Sequence, residues 1–375
     1  MYFLNGDRIY IKPGRTCGTL DEQIDSCLTK LKKINSGRRI FKLNYFVDTK
    51  SQDDYTRLEK KVRVQVATSF PDTIIQTFIA QPPLTCRIVV EAFYYDPAFW
   101  EKTSIGDGQS ATVFQKGEEQ ILIGNVQSNT NESCKINANL AFADLKAIFS
   151  ACNFDIKHIV RQWNYLENIL GFDGEEQRYQ EFNNVRSEVY GNAFIENGFP
   201  AATGIGMNRG GVIIEFVAVK GPRFVSKAVD NPQQISAHHY SEKVLVGDEC
   251  ILKTTPKFER ARYFSYDHKN QIFISGTASI RGEKTIGVDD PALQTEVTIE
   301  NIKSLYSSEI LQEISNNNLE PKYGHARVYV KNRMDFGVIR KTFKTHFGNL
   351  PVVYIIADIC RNDLLVEIEG KVILE

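Results

Sequence analysis

The chain has 375 residues, of which 42% are hydrophobic and 24% are charged, and its formal net charge is −1. Single hydrophobic cores stop growing at about 250–300 residues, so this length indicates two or three domains' worth of material. A nearly neutral chain provides no general field that attracts nucleic acid or an anionic membrane. An anionic ligand would therefore have to be held by local arginines.

The cysteines and histidines give no sign of a metal site or a disulfide framework. The seven cysteines are scattered and contain no C-x-x-C pair, which argues against both arrangements. His238 and His239 are adjacent, but no third ligand lies at metal-binding spacing. Residues 1–20 lack the pattern of a signal peptide, and no apolar run approaches the length of a membrane span. We expect a protein of the reducing cytoplasm with no metal ion and no membrane partner.

Along the chain, one order of predicted elements occurs three times: hairpin, helix, strand, helix, strand, strand. The first copy comprises residues 2–11, with a turn at Asn5-Gly6-Asp7, then 20–34, 39–47, 52–68, 74–80 and 85–95. The second comprises 112–126, 137–152, 157–165, 175–190, 201–207 and 212–219. The third comprises 262–280, 293–310, 325–330, 336–347, 352–359 and 364–374. The sequence therefore predicts a repeated architecture.

Each predicted helix has a single apolar stripe, so it must cover one face of a mixed sheet. This predicts an α+β fold of three units, 1–105, 106–220 and 221–375, that together form a pseudo-trimer within one chain. The third unit begins with a long segment, 220–259, that is rich in proline, glycine and charge. We expect this segment to be functional or to act as a lid, with a disordered linker as the alternative.

Three strands share a pattern of two aliphatic residues followed by a glutamate: Glu91, Glu215 and Glu367. We assign these glutamates to one equivalent position in the three units. A carboxylate is costly to bury, so each either faces water or has a raised pKa. A carboxylic acid that stays protonated near neutral pH can act as a general acid.

On the predicted helix 175–190, Arg178, Phe182 and Arg186 recur at every fourth position, with Tyr179 alongside. Arginines on one stripe would suit a carboxylate ligand, because guanidinium pairs with carboxylate in a bidentate manner. The alternative is that they are solvated and pair with neighbouring glutamates. Trp163, on the preceding strand, is expected in the core.

The repeated unit resembles the Rid/YjgF fold, in which three small subunits form a trimer with clefts between them. In the deaminases of that family an arginine follows a proline at the start of the fifth strand. The matching positions here, after Pro200 and Pro351, lack that arginine. The comparison therefore argues against imine deamination.

Residues 155–375 are more specifically similar to the chorismatases, through seven motifs that occur in the same order. The motifs are Arg161-Gln162-Trp163-Asn164-Tyr165-Leu166, Arg178-Tyr179-x-x-Phe182-x-x-x-Arg186, Pro200-Ala201-Ala202-Thr203, Asn231-Pro232-x-Gln234-x-Ser236-Ala237, Phe258-x-Arg260-Ala261, Ser275-Gly276-Thr277-Ala278-Ser279-Ile280 and Cys360-Arg361-x-Asp363-Leu364-Leu365-Val366-Glu367-Ile368-Glu369. Chorismatases are single chains of Rid/YjgF architecture. They remove the enolpyruvyl group of chorismate as pyruvate and leave a dihydrodiol carboxylate or a hydroxybenzoate.

The resemblance implies a cofactor-independent enzyme in which Glu367 protonates the enolpyruvyl group. The residues that it implies for binding the dicarboxylate substrate are Tyr179, Arg186, Tyr240, Arg260 and Arg327. Ala278 and Cys360 are implied to steer the choice of product. The pseudo-trimer would fill its own interfaces, so we expect a monomer.

The chain departs from the family pattern in several ligand-facing motifs. Residues 252–256 replace a Gly-Pro-Arg-Ser-Pro stretch, which removes a basic contact or passes it to Lys253, and Gln233 replaces an arginine. Residues 183–186 and 281–284 differ as well. The alternatives to a chorismatase are therefore a homologue with a different substrate and a catalytically silent protein that binds a small carboxylate.

Overall fold

The computed structural model describes residues 8–34, 38–70, 72–106, 110–241, 254–315 and 319–375. Within these ranges, three mixed sheets follow one another along the chain, and helices accompany each of them. The α+β class is confirmed. Among the described residues, no helix combines the length and the apolar character needed to cross a membrane.

The first sheet contains four described strands in the order β1-β4-β2-β3. They are β1 (Arg8–Ile11), β2 (Arg39–Val47), β3 (Ile75–Ile79) and β4 (Ile88–Tyr95). Helices α1 (Leu20–Lys33) and α2 (Gln52–Ser69) pack their apolar stripes against this sheet. The turn expected at residues 5–7 lies outside the described residues.

The second sheet has six strands in the order β11-β8-β12-β7-β6-β5. They are β5 (Glu101–Ile105), β6 (Ala111–Lys116), β7 (Glu119–Ser128), β8 (Ile159–Glu167), β11 (Ala201–Met207) and β12 (Val212–Lys220). Its helices are α3 (Cys134–Ala151) and α4 (Arg178–Tyr190). A two-stranded ribbon of β9 (Phe172–Asp173) and β10 (Glu176–Gln177) leads into α4.

The third sheet has six strands in the order β13-β14-β15-β20-β18-β19. They are β13 (Phe224–Val229), β14 (Ala261–Tyr266), β15 (Lys269–Ala278), β18 (Pro321–Val330), β19 (Val352–Ile356) and β20 (Val366–Leu374). The accompanying helices are α5 (Pro291–Ser304), α6 (Ser308–Ile314) and α7 (Phe336–Phe347), and β16 (Ile280–Arg281) pairs with β17 (Lys284–Thr285).

Helix caps, and in one case a short strand, explain why some predicted helix bounds were wrong. α3 begins three residues before the predicted start because the Ser133 side chain accepts a hydrogen bond from the backbone of Ile136. α4 begins later than predicted because β10 takes up Glu176–Gln177. The helix predicted at 293–310 is two helices, since Ser307 caps a second one.

The long segment 220–259 contains ordered structure in its described part. Phe224–Val229 forms β13, which pairs with β14, and Ala237–His239 forms a single 3-10 turn. The alternative of a disordered linker is therefore wrong for these residues. Residues 242–253, including Lys253, lie outside the described ranges.

One hydrophobic cluster is shared by the three sheets. It includes Phe46 of β2, Trp163 of β8 and Tyr329 of β18, all nearly inaccessible to solvent. The inner faces of the sheets thus pack against one another, while the opposite faces pack against the helices. Side chains buried between the sheets can only be satisfied by contacts across them.

Strand pairing corrects the expected equivalence of the three glutamates. Glu91 lies opposite Asn44, Glu215 opposite Trp163, and Glu369 opposite Arg327. Each of the opposite residues donates a hydrogen bond to the glutamate of another sheet: Asn44 to Glu215 (3.2 Å), Trp163 to Glu369 (3.0 Å) and Arg327 to Glu91 (3.1 Å).

In the third sheet, the residue at the position equivalent to Glu91 and Glu215 is therefore Glu369. The assignment of Glu367 to that position was wrong. Glu367 lies opposite Tyr329, where the other two sheets have Val89 opposite Phe46 and Ile213 opposite Tyr165. Both glutamates lie on one face of β20, because side chains alternate along a strand, so the sequence pattern alone could not choose between them.

Candidate active site

The cavity that contains Glu367 lies between the second and third sheets. α4 and β11 supply Tyr179, Ala202 and Gly204 on one side, and β15 and β20 supply Gly276 and Glu367 on the other. It encloses about 740 Å³ of atom-free space, part of which is open solvent. This size is suitable for a small organic ligand.

Glu367 is 4% exposed, and its Oε1 atom has no hydrogen-bond partner among the described residues. Burial, followed by the nearby charge of Glu369, raises its pKa to about 8, while Arg161 and Arg260 act in the opposite direction. The carboxyl group therefore stays protonated at neutral pH. It can donate a proton to a bound ligand without first acquiring one from solvent.

A β-bulge makes room for this carboxyl group. The pairing of β15 with β20 shifts between Ile274 and Thr277, and Gly276 lies in the irregular stretch. A Cβ atom on Gly276 would overlap Oε1 of Glu367 and would lie 2.9 Å from its Cδ. Glycine at position 276 is therefore required for the observed orientation of the acid.

Two arginines flank Tyr240 at the cavity. The guanidinium carbon of Arg260 lies 5.3 Å from the ring centroid of Tyr240, and that of Arg361 lies 5.2 Å from it. Arg260 also donates to the hydroxyl of Tyr240 (2.5 Å) and to the carbonyl of Ile235 (2.7 Å). Arg361 donates to the carbonyl of Glu283 (2.8 Å). The cavity thus has two fixed positive charges that suit a dianionic ligand.

Tyr179, Ala278 and Cys360, which the family resemblance implied as site residues, also line the cavity. Ala278 lies directly opposite Glu367 in the strand pairing. Burial and the neighbouring Glu367 raise the pKa of the Cys360 thiol to about 12, so the thiol is neutral. Burial likewise raises the pKa of Tyr179. Apart from the two arginines, these groups leave the interior of the cavity uncharged at neutral pH.

Comparisons with known proteins agree with this geometry. A family model described as "Chorismatase FkbO/Hyg5-like, N-terminal" matches residues 98–218. A 3-hydroxybenzoate synthase from Streptomyces hygroscopicus is 32% identical over 228 residues, 58% of this chain and 64% of the relative. A chorismatase from the same organism is 32% identical over 220 residues, 57% of this chain and 61% of the relative. Over these regions the chain is similar to chorismatases.

The sequence matches span less than two thirds of the length of these two relatives. The fold similarity is more extensive: a chorismatase crystal structure matches with a TM-score of 0.70 over 97% of this chain and 98% of that chain, at 19% identity. The chorismatase fold therefore extends beyond the region of recognisable sequence similarity.

Two arginines that the family resemblance implied as substrate ligands do not line the cavity. Arg186 is buried on α4 and donates to Oδ1 of Asn183 (2.7 Å), and it is Asn183 that reaches the cavity. Arg327 lies between the sheets and is bound to Glu91 and Glu369. The position of Arg327 arises from contacts between distant strands, which a motif does not specify.

Arg361 also lines the cavity, and the sequence analysis did not name it as a candidate, although it lies in the motif that begins with Cys360. Its position directly after a cavity-lining residue was the available signal.

The neighbouring stripe on α4 also differs from expectation. Arg178 pairs with Asp173 (3.4 Å), and Phe182 is buried in the core of the second sheet.

The other strand glutamates differ from Glu367 in having strong partners. Burial raises the pKa of Glu91, but the guanidiniums of Arg327 and Arg8 outweigh this effect and hold that pKa below its ordinary value. For Glu215, burial is likewise outweighed, chiefly by Lys42 at 2.8 Å. These two carboxylates stay ionised and form ion pairs with arginine and lysine side chains, so Glu367 is the best candidate for the acid.

Proposed function

We propose that this protein cleaves the enolpyruvyl ether of chorismate, or of a close relative, to pyruvate and a ring carboxylate. The observation that carries the proposal is the protonated carboxyl group of Glu367 in a cavity with two arginines. The names of the relatives, chorismatase and 3-hydroxybenzoate synthase, support the same substrate class.

In this proposal Arg260 and Arg361 hold the two carboxylates of the substrate. The interactions are charge-assisted hydrogen bonds, which are stronger than neutral ones in a half-enclosed site. Both guanidiniums lie close to the ring of Tyr240, and Arg260 also donates to its hydroxyl group. Tyr179 would contact the bound ligand from the opposite side of the cavity.

The chemical step begins with proton transfer from the Glu367 carboxyl group to the methylene carbon of the enolpyruvyl group. The electron pair of the C=C bond forms the new C–H bond, and the adjacent carbon becomes an oxocarbenium ion. The ionised carboxylate of Glu367 then stabilises this cation across the cavity. Substrate, solvent and Glu367 supply every atom that the step needs.

Two outcomes of the reaction conserve every atom. Water can add to the oxocarbenium ion, and collapse of the resulting hemiketal releases pyruvate and a dihydroxycyclohexadiene carboxylate. Alternatively, the substrate's own hydroxyl group adds to the oxocarbenium carbon and gives a cyclic ketal. Cleavage of the ring C–O bond of that hydroxyl and loss of a ring proton to the Glu367 carboxylate then make the ring aromatic. Collapse of the remaining hemiketal releases pyruvate and a hydroxybenzoate with no net use of water. We propose that Ala278 and Cys360, which line the cavity together with Glu367, determine the access of the attacking oxygen.

A pseudo-threefold arrangement of the three units is part of the proposal. The hydrogen bonds from Asn44, Trp163 and Arg327 form a closed cycle through the three sheets, which supports it. A second cleft is lined by Gln127 and Ile213, which pair as Ala278 and Glu367 do. It has isoleucine in place of the acid, so only the cleft with Glu367 is proposed to react.

The test is to incubate purified protein with chorismate, follow pyruvate with a coupled dehydrogenase, and identify the ring product by mass spectrometry. The Glu367→Gln variant keeps the size of the side chain and removes its proton. We expect a loss of turnover of roughly 100-fold or more. Glu101→Gln, at an exposed position, is the matched control and should react like the parent.

Titration calorimetry with chorismate separates this proposal from a binding protein. Both the parent and Glu367→Gln should bind chorismate, and only the parent should release pyruvate. Binding without pyruvate release in the parent would favour the silent carboxylate-binding protein. Absence of both would mean that the ligand is not chorismate.

A further inference from the structure

A second, smaller cavity lies between the sheets and is separate from the cavity with Glu367. Its lining includes Arg8, Arg161, His325, Glu369 and Lys371. The volume of this cavity is about 10 Å³, close to the minimum for a single water molecule or a small ion. No step of the proposed reaction uses this cavity.

Permanent positive charge exceeds negative charge around it. Arg8, Arg161 and Arg327 are charged at all relevant pH values. Among the described residues, the carboxylates bound to them are Glu91 and Glu369. Within this described set, one positive charge is therefore left over before His325 or Lys371 is counted. An uncompensated buried charge is strongly unfavourable.

The arginines also present unused donors. Arg161 is 1% exposed, and its Nη2 donates to Thr203 and Glu369, but its Nη1 has no partner among the described residues. The buried Nε of Arg8 is in the same situation. In contrast, all three nitrogens of Arg327 donate to Glu91, Tyr165 or Glu369.

We propose that this cavity binds one small monovalent anion of halide size, which accepts a hydrogen bond from Nη1 of Arg161. Such an anion would satisfy the open donor and compensate the extra charge at once. A water molecule would satisfy only the donor. Sulfate and phosphate are too large for the space and carry more charge than the cluster lacks.

The decisive experiment is anomalous diffraction from crystals of the full chain grown with bromide as the only halide. We expect one anomalous peak inside the cavity, within hydrogen-bond distance of Nη1 of Arg161. A site without anomalous density, whether filled by water or empty, would overturn the proposal. The result does not depend on enzyme activity, so it stands apart from the proposed function.

Thermal unfolding provides an independent measurement in solution. At constant ionic strength, replacing gluconate with chloride or bromide should raise Tm by roughly 2 °C for each tenfold rise in halide above its Kd. Arg161→Lys keeps the charge beside Glu369 and removes the Nη1 donor, so it should lose this dependence. Arg57→Lys, at an exposed position of α2, should retain it. The same Tm in gluconate and halide for the parent would contradict the proposal.

Discussion

The raised pKa of Glu367 predicts a specific pH dependence of stability. The pKa is about 8 in the folded protein and 4.5 for an ordinary glutamate. The folded state therefore binds this proton more tightly than the unfolded state. As the pH rises from the unfolded pKa to the folded pKa, the unfolded chain loses its proton first, and stability falls.

The magnitude follows from ~1.4 kcal/mol for each pKa unit, so the whole transition costs ~5 kcal/mol. The loss of unfolding free energy that falls between pH 5.5 and pH 9 is ~3 kcal/mol. Glu367→Gln has no proton to lose and is free of this cost. The variant should therefore gain ~3 kcal/mol in unfolding free energy relative to the parent over that pH interval.

Urea unfolding of the parent and Glu367→Gln at a series of pH values measures this difference directly. All other titrating groups are common to the two proteins, so their contributions cancel. Glu101→Gln is the control, and its difference from the parent should stay within ~0.5 kcal/mol. A difference for Glu367→Gln that is constant with pH, or that shrinks as the pH rises, would refute the reasoning about a buried neutral acid.

Three further predictions concern turnover. The kcat of the parent should fall as the pH rises through about 8, because Glu367 then loses its proton, and a pH profile of pyruvate release checks this. Gly276→Ala should lower kcat/KM by ~10-fold or more, because the new Cβ would displace the Glu367 carboxyl group. The control Gly337→Ala should not lower kcat/KM, since its Cβ would have no atom within 4 Å. Equal effects of the two substitutions would show that the orientation of the acid is unimportant. Arg361→Met should raise the Kd for chorismate in calorimetry by ~10-fold or more through loss of a charge-assisted hydrogen bond, and an unchanged Kd would exclude this arginine as a carboxylate ligand.

Much of the fold follows from local sequence. The positions of α1, α2 and α7 were predicted to within one residue, because their apolar stripes and cap residues are encoded within a few turns. Within each predicted repeat the helices and strands follow the predicted order along the chain, whereas β5 and β13 lie outside the predicted repeats. Where the prediction failed, as at the division between α5 and α6, the cause was a cap residue inside a continuous helical pattern.

The candidate site was predicted in part. Motif similarity placed Tyr179, Tyr240, Arg260, Ala278 and Cys360, and the structure brings all of them to one cavity with Glu367. Motif similarity did not show where the side chains of the remaining arginines lie. Whether an arginine reaches a cavity or an internal carboxylate depends on which strands face it from another sheet.

The sequence alone determined the repeated elements, their α+β class and a pair of glutamates on one face of the last strand. Only the tertiary structure decided which member of that pair can act as an acid. Glu369 lies between the sheets, where Arg161 and Arg327 bind it. Glu367, two residues earlier, reaches a cavity in which its Oε1 has no hydrogen-bond partner among the described residues. Alternation gives both side chains the same face, and contacts between distant strands bind one to arginines and leave the other as a neutral acid.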